Sequence, residues 1–295
     1  MKEFILDILE RIELIKRYYV NPERYIPKLF YKRMGYKLNL ETPKTFNEKL
    51  QWLKLYYHNP LYTTLVDKYA VKDYVQRKLG KEYIIPTIGI WHNVANIDFH
   101  NLPKKFVLKC THDSGSYIIC KDKSKLIQVK VKRTLGKCMS KNYYYMGFEW
   151  PYKDVKACII AEPLLEDDNY EDLHDYKFFC FNGKVKCFKI DFERFVNHRA
   201  NYYDRNCKLL PFGERVCPPI FQRDLHIPAT IEKMIEMAEV LSKNMPFVRV
   251  DFYDVNGRIY FGEMTFFPSS GFGKFTEEEW DLTLGSWIKL PNKMI

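Results

Sequence analysis

The chain has 295 residues, 46% of them hydrophobic and 16% aromatic, with 47 Lys and Arg against 37 Asp and Glu for a formal charge of +10. That length can bury a large core in one to three domains, and no apolar run approaches the roughly 18 residues of a membrane span. The positive balance favours anionic partners such as nucleotides, anionic polysaccharide or an anionic membrane face, but it reads as spread along the chain, so nucleic acid is not indicated. With no signal peptide, the expected place is the cytoplasm, with contact at the inner membrane face as a further option.

Residues 2–19 carry Phe4, Ile5, Ile8, Leu9, Ile12, Leu14 and Ile15 on an apolar stripe at helical spacing. Such a helix packs on its own core or a second subunit, or lies on an anionic membrane. From Asn21 to Leu40, two prolines among basic and aromatic residues predict little regular structure. Thr45 then caps a helix, with Glu48 three residues on, and a second helix is expected from Leu61 to a stop at Gly80. It holds Asp67, Lys68 and Lys72, by default a solvated face. A β segment broken by Pro86 is expected over Tyr83–Ile90. The strand ending FVLKC carries Lys109, and an inward lysine on such a strand is unusual unless it meets an anion. His112 to Ser116 follows as a Gly/Ser turn before a strand at Tyr117–Cys120, a plausible phosphate flap without P-loop or Rossmann spacing. Lys123–Lys141 reads as helical and basic.

Ala157–Leu165 is an apolar strand through Glu162, leading to the acidic run Glu166-Asp167-Asp168. Asp175–Phe181 and Lys184–Asp191 form a hairpin across Asn182-Gly183. Loop-rich residues 192–226 hold a basic cluster of Arg194, His198, Arg199 and Arg205. Thr230–Asn244 is an amphipathic helix, and a last helix starts near Thr276. The eight cysteines include no C-x-x-C pair and the seven histidines no metal-binding spacing, so buried thiols are expected instead of a disulfide or zinc framework.

The most informative stretch is Phe247–Gly273, where two β-forming runs flank Asn256-Gly257, a strong type I′ hairpin signal. Alternation places Arg249, Asp251 and Tyr253 on one face, Glu263 and Thr265 together on the next strand, and Asp251 nearly opposite Glu263. Two carboxylates beside an arginine are costly to bury without a cation or donors, and an acid pair with open positions suits Mg²⁺ carried by a nucleotide. A charged, solvent-facing strand pair would show the same spacing. Helices mixed with antiparallel hairpins predict the α+β class.

Together, Asp67-Lys68, FVLKCTHDSGS at 106–116, IIAEPLLED at 159–167, DYKFFCFNGKV at 175–185 and RVDFYDVNGRIYFGEMTFFPSSGF at 249–272 resemble the ATP-grasp fold. The likeness is to its TupA-like branch of teichuronopeptide and capsular polysaccharide biosynthesis, from about Thr45 to Pro291. The resemblance implies a nucleotide held between two α+β lobes, with an N-terminal region at 1–100, a small lobe at 101–160 and a C-terminal lobe at 161–295. It implies ATP and Mg²⁺ as cofactors. Lys68, Lys109 and the His112, Ser114, Gly115, Ser116 loop would meet phosphates, and Glu162 with Pro163, Leu164 and Leu165 the adenine or ribose. Asp251 and Glu263 would hold the metal, joined by Thr265, which stands where many members carry Asn. Arg249 would neutralise the transferred phosphate, with Lys109 and Lys177 in the catalytic set. Arg194, His198, Arg199 and Arg205, with Lys177 and Lys189, are candidates to receive an anionic acceptor.

The implied activity is amide formation through an acyl phosphate, on a uronic acid of a glycan or nucleotide-sugar precursor, with a small amine. A glycosyltransferase using a nucleotide-sugar, with Asp167 and Asp168 on its metal, is the alternative. A sugar kinase and a non-catalytic partner are further ones.

Overall fold

The computed structural model describes residues 18–168, 173–194, 196–223 and 225–294. The stripe expected over residues 2–19 falls almost wholly outside them. Among the described residues no helix is long and apolar enough to cross a membrane.

The chain begins with a helix where little structure was expected: α1, Pro22–Met34, carries Ile26, Leu29 and Phe30 on its buried side. Its ends explain it. Pro22 sits in the first turn, where its missing N–H costs nothing, Asn21 accepts the Glu23 amide, and Gly35 closes the helix at φ +91°. In α2, Phe46–Tyr56, Thr45 and Glu48 make the expected reciprocal cap. The single helix expected from Leu61 is two, α3 at Leu61–Val66 and α4 at Val71–Leu79. Asp67 breaks them apart because its Oδ1 accepts the Tyr69 and Ala70 amides at 2.8 and 3.1 Å.

Four strands follow: β1 Gly89–Trp91, β2 Phe106–Cys110, β3 Tyr117–Cys120 and β4 Ile159–Pro163. They form an antiparallel sheet in the order β1-β4-β2-β3. The strand expected at Tyr83–Ile90 shrinks to β1, since Pro86 cannot donate to a ladder. Between β3 and β4 lie α5, Gln128–Met139, and the single turn α6, Tyr144–Gly147. Val131 and Leu135 of α5 pack with Ile97, Phe99, Leu108 and Ile159 in a core belonging to this lobe.

The larger sheet contains β5 Asp175–Phe181, β6 Lys184–Phe192, β7 Arg199–Asp204, β8 Phe247–Val255 and β9 Arg258–Thr265. All its pairs are antiparallel, in the order β7-β6-β5-β8-β9. Both Asn-Gly turns have two left-handed residues, φ +51° and +78° at Asn182 and Gly183, +52° and +79° at Asn256 and Gly257, as type I′ requires. Helix α7, Ile231–Leu241, covers one face through Met234, Ile235 and Leu241; α8, Glu279–Trp287, packs against α2.

Phe46 and Leu50 of α2 and Val71 and Val75 of α4 share a core with Phe179, Phe181 and Phe247. The N-terminal helices therefore belong to the large lobe, and the small lobe's sheet reaches from Gly89 to Pro163, beyond the expected 101–160. All eight cysteines are free thiols. The architecture is α+β, as expected.

Candidate functional site

Between the sheets lies a cavity of about 370 Å³. The large sheet's face opposite α7 forms one wall. Near the turn, β8 and β9 pair regularly from Val255↔Arg258 to Phe252↔Phe261. Continued unchanged, that register would set Asp251 against Gly262 and turn Glu263 toward the core beside Val250. A bulge intervenes, and the pairs beyond it are Asp251↔Glu263, Val250↔Met264 and Arg249↔Thr265. Gly262 is the extra residue. A Cβ there would stand 3.1 Å from the Asp251 carbonyl oxygen and 3.2 Å from the Tyr253 ring.

Across this register Arg249 joins the acids. Its Nε and Nη2 donate to the two Asp251 oxygens at 2.7 Å each, and Nη2 also reaches Glu263 Oε1 and Thr265 Oγ1 at 3.0 Å. The Thr265 hydroxyl donates to the same Glu263 oxygen at 3.3 Å. Burial raises the Asp251 carboxyl to about 6 against the pull of Arg249 and Lys177. Burial also acts to raise Glu263, but Arg249 and Lys68 more than offset it and hold the group at about 2.

The neighbouring strands extend the charge. Lys177 Nζ lies 3.1 Å from Asp175, 3.0 Å from Asp191 and 3.9 Å from Asp251. Burial pulls its ammonium down, yet Asp175 and Asp191 hold it above the ordinary lysine value. Lys189, behind it, pairs with Asp191 at 3.5 Å and Glu214 at 3.1 Å. The D-x-K of β5 and the K-x-D of β6 lie on one face, and alternation alone could have found them.

The small lobe supplies the opposite wall. Glu162 on β4 bridges two lysines at 2.6 Å each, Lys72 of α4 and Lys109 of β2. Lys72 also donates to the Ile85 carbonyl at 2.8 Å and the Thr87 hydroxyl at 2.6 Å, so it is no solvated surface lysine. A lysine one turn past Asp67 carries no local signal for this, since its partners arrive from β4 and the chain before β1. Lys68 is tied to the turn before β3, donating from Nζ to the Asp113 carbonyl. Gly115, at φ +89°, lets that turn face the cavity with Ser114 and Ser116.

The expected residues thus separate. Lys68, Lys109, Ser114, Gly115, Ser116, Glu162, Pro163, Leu164, Leu165, Lys177, Arg194, Asp251 and Glu263 line one cavity. Arg249 and Thr265 are bonded to the acid pair within it. His112 is not on the lining: it is 3% exposed, packed beneath the turn with Nε2 3.3 Å from the Cys138 carbonyl. Arg194 holds Asp175, and His198 Nε2 lies 3.2 Å from Asp191. Arg199 pairs across to Phe192, on the sheet face turned away from Asp191. Arg205 is drawn to Glu232 and Glu239 of α7, on the far side of the sheet. Two of the four acceptor candidates therefore stand by the cleft. In the acidic run, Asp167 accepts the Asn256 amide at 2.8 Å, which ties it to the β8–β9 turn.

This set fits a nucleotide with its metal. Val107, Ile119, Leu164 and Leu165 offer an apolar slot, cations flank it, and Asp251 and Glu263 face it. Among the described residues no group of three or more His, Cys, Asp and Glu is arranged to hold a metal alone. A two-carboxylate site suits an ion that brings phosphate oxygens with it.

A family model described as TupA-like ATPgrasp matches residues 48–289. No curated protein matches the sequence significantly. Among solved structures, D-alanine–D-alanine ligase from Helicobacter pylori is 14% identical with a TM-score of 0.45, over 85% of this chain and 68% of that one. The corresponding ligase from Bacillus anthracis is 17% identical with a TM-score of 0.38, over 68% of this chain and 57% of that one. An ADP complex of N5-carboxyaminoimidazole ribonucleotide synthetase is 14% identical with a TM-score of 0.45, over 74% and 50%. The chain thus spans between half and about two-thirds of the length of these enzymes.

Proposed function

The chain belongs to the TupA-like ATP-grasp family, and on that premise we propose that it is a carboxylate–amine ligase acting on a uronic acid of a surface polysaccharide or its precursor. The family is one of ATP-grasp ligases, whose cofactors are ATP and Mg²⁺. The observation that carries the reading is one cavity with the Asp251–Glu263 pair on one wall and Lys68 and Lys109 with the Ser114–Ser116 turn on the other. Asp251 and Glu263 would hold Mg²⁺, which neutralises phosphate charge when bound. Lys68, Lys109 and the turn amides bind the phosphates, and Pro163–Leu165 frame the base beside Glu162.

In such a reaction a carboxylate oxygen attacks the γ-phosphorus and the bond to the bridging oxygen breaks, releasing ADP. An amine nitrogen then attacks the acyl carbon, phosphate leaves with the former carboxylate oxygen, and the nitrogen loses a proton. Little covalent work falls to the protein, which places cations along the triphosphate and excludes water. Arg249, at the acid pair, stands ready to meet charge on the transferred group, and Arg194 supports an anionic acceptor at the cavity mouth. An acceptor that is itself a carboxylate suits this cation-rich wall better than a neutral sugar.

The test is ADP release by purified protein given ATP, Mg²⁺, free or nucleotide-linked uronates and a panel of amines. Release that needs both a uronate and an amine supports the proposal. Binding of a nucleotide-sugar without ATP would favour a glycosyltransferase instead.

A further inference from the structure

Residues 101–141 contain eleven Lys and Arg but only Asp113 and Asp122, so this stretch supplies +9 of the chain's +10 charge. The expectation of charge spread along the chain is therefore wrong in a specific way: the excess sits on the small lobe. Part of it serves the cavity, as Lys109 and Lys121 do, and Lys123 and Lys132 are bound to backbone carbonyls. Lys105 pairs with Glu166 at 2.7 Å, while Lys104, Lys125, Lys130 and Arg133 are exposed on and around α5.

That helix is amphipathic in a particular sense. Val131 and Leu135 face the lobe's core, while Val129, Lys130 and Arg133 occupy the opposite side. Lys125, with a side chain 83% exposed and 4.0 Å from Asp122, and Lys104 flank the turn that leads into the helix. Two large apolar side chains stand among these cations, Ile127 at 66% and Val129 at 79% exposure. Helix stability does not account for the pattern: the first turn has no acidic residue and no side-chain cap, although the macrodipole favours negative charge there.

We propose that this face of α5 is a docking surface for an anionic lipid bilayer. A soluble polyanion would use the cations but gain nothing from Ile127 and Val129. A bilayer uses both, its headgroups meeting Lys104, Lys125, Lys130 and Arg133 while the two apolar side chains enter the acyl boundary. None of these side chains lines the nucleotide cavity.

The test is sedimentation of the full chain with vesicles of phosphatidylcholine alone or with about 30% phosphatidylglycerol, near physiological salt. Binding is expected only to the anionic vesicles. Lys130→Glu/Arg133→Glu should weaken it on the order of 100-fold, and Ile127→Ser/Val129→Ser about tenfold. Both variants alter exposed side chains and should keep the parent's Tm and its thermal shift with ATP and Mg²⁺. The proposal is overturned if the parent ignores anionic vesicles, or if neither variant weakens binding. It is also overturned if Ile127→Ser/Val129→Ser binds vesicles like the parent while polygalacturonate or duplex DNA binds as tightly as lipid, which would mark a polyanion site.

Discussion

Replacing Lys72 by Met isolates the small-lobe charge bridge. The change keeps the side chain's length while deleting an ammonium that is paired with Glu162 at 2.6 Å and donates to Ile85 and Thr87. Removing one partner of a buried pair costs about 3–5 kcal/mol, because the other charge stays behind. Lys109 still holds the second Glu162 oxygen and Lys72 is 13% exposed, so the lower end applies. One stranded carbonyl brings the total to about 3–4 kcal/mol. For a chain of this size that is a fall in Tm of roughly 6–8 °C.

The acid side of the same bridge gives a signature that generic damage would not. Burial acts to raise the Glu162 carboxyl, but Lys109 and Lys72 outweigh it and leave the group below its usual 4.5. A depressed carboxylate adds stability above its unfolded value, and that contribution disappears as pH falls through the folded value. In Lys72→Met the burial effect is opposed by Lys109 alone, so the folded value moves up toward the unfolded one and Glu162 has less stability to lose in acid: the Tm gap between variant and parent should narrow as pH falls below 4.5. Differential scanning fluorimetry from pH 3.5 to 8, with and without ATP and Mg²⁺, measures both effects. A Tm drop under about 2 °C with an unchanged acid limb would refute the reasoning.

Asp251→Asn with Glu263→Gln should abolish the thermal shift given by ATP with Mg²⁺ in differential scanning fluorimetry. Each single change should lower ADP release by about 10²–10³-fold, and a full shift in the double variant would dissociate these acids from the metal. Gly262→Ala places a methyl against the Asp251 carbonyl oxygen, a backbone atom that cannot step aside. Urea denaturation should show a loss of about 1–3 kcal/mol, with nucleotide affinity falling as the bulge shifts Glu263. Lys54, 2% exposed, donates to the Gly147 and Ser270 carbonyls at 2.9 and 2.7 Å. With Gln51, whose Nε2 donates to the Ser270 and Gly271 carbonyls at 3.0 and 2.6 Å, it braces the segment in which Ser269 and Ser270 have left-handed φ values of +51° and +53°. Lys54→Met should cost about 3 kcal/mol in the same denaturation assay, whereas a neutral result would mean that Gln51 suffices to keep this segment in its strained form.

The elements most visible in the sequence were those with local causes. The Thr45–Glu48 cap, both Asn-Gly turns and α7 follow from signals a few residues long, and each stands where it was expected. Helix α1 was hidden because prolines and basic residues mask its caps. The split between α3 and α4 turns on a single Asp side chain bonding its own backbone. At the site, the opposition of Asp251 and Glu263 was anticipated, but a count outward from the turn leaves Glu263 one residue out of phase. The bulge at Gly262 supplies the missing step. Lys72 reads as part of a solvated helical face because burial and partners from distant segments, invisible to helical periodicity, decide what it does. Arg199 and Arg205 show the converse, since closeness in sequence to Arg194 did not place them on the same face.

The two lobes have separate cores, the small one built around Phe106, Leu108, Val131, Leu135 and Ile159. A unit with its own interior can open without melting the other, and its amides then exchange with solvent at the rate of that partial opening. The large sheet, joined to α2, α4 and α7 in a far bigger interior, should exchange only on global unfolding. A nucleotide gripping both walls would act as a temporary crosslink, slowing deuterium uptake in β2 and β3 while leaving β5 and β6 unchanged.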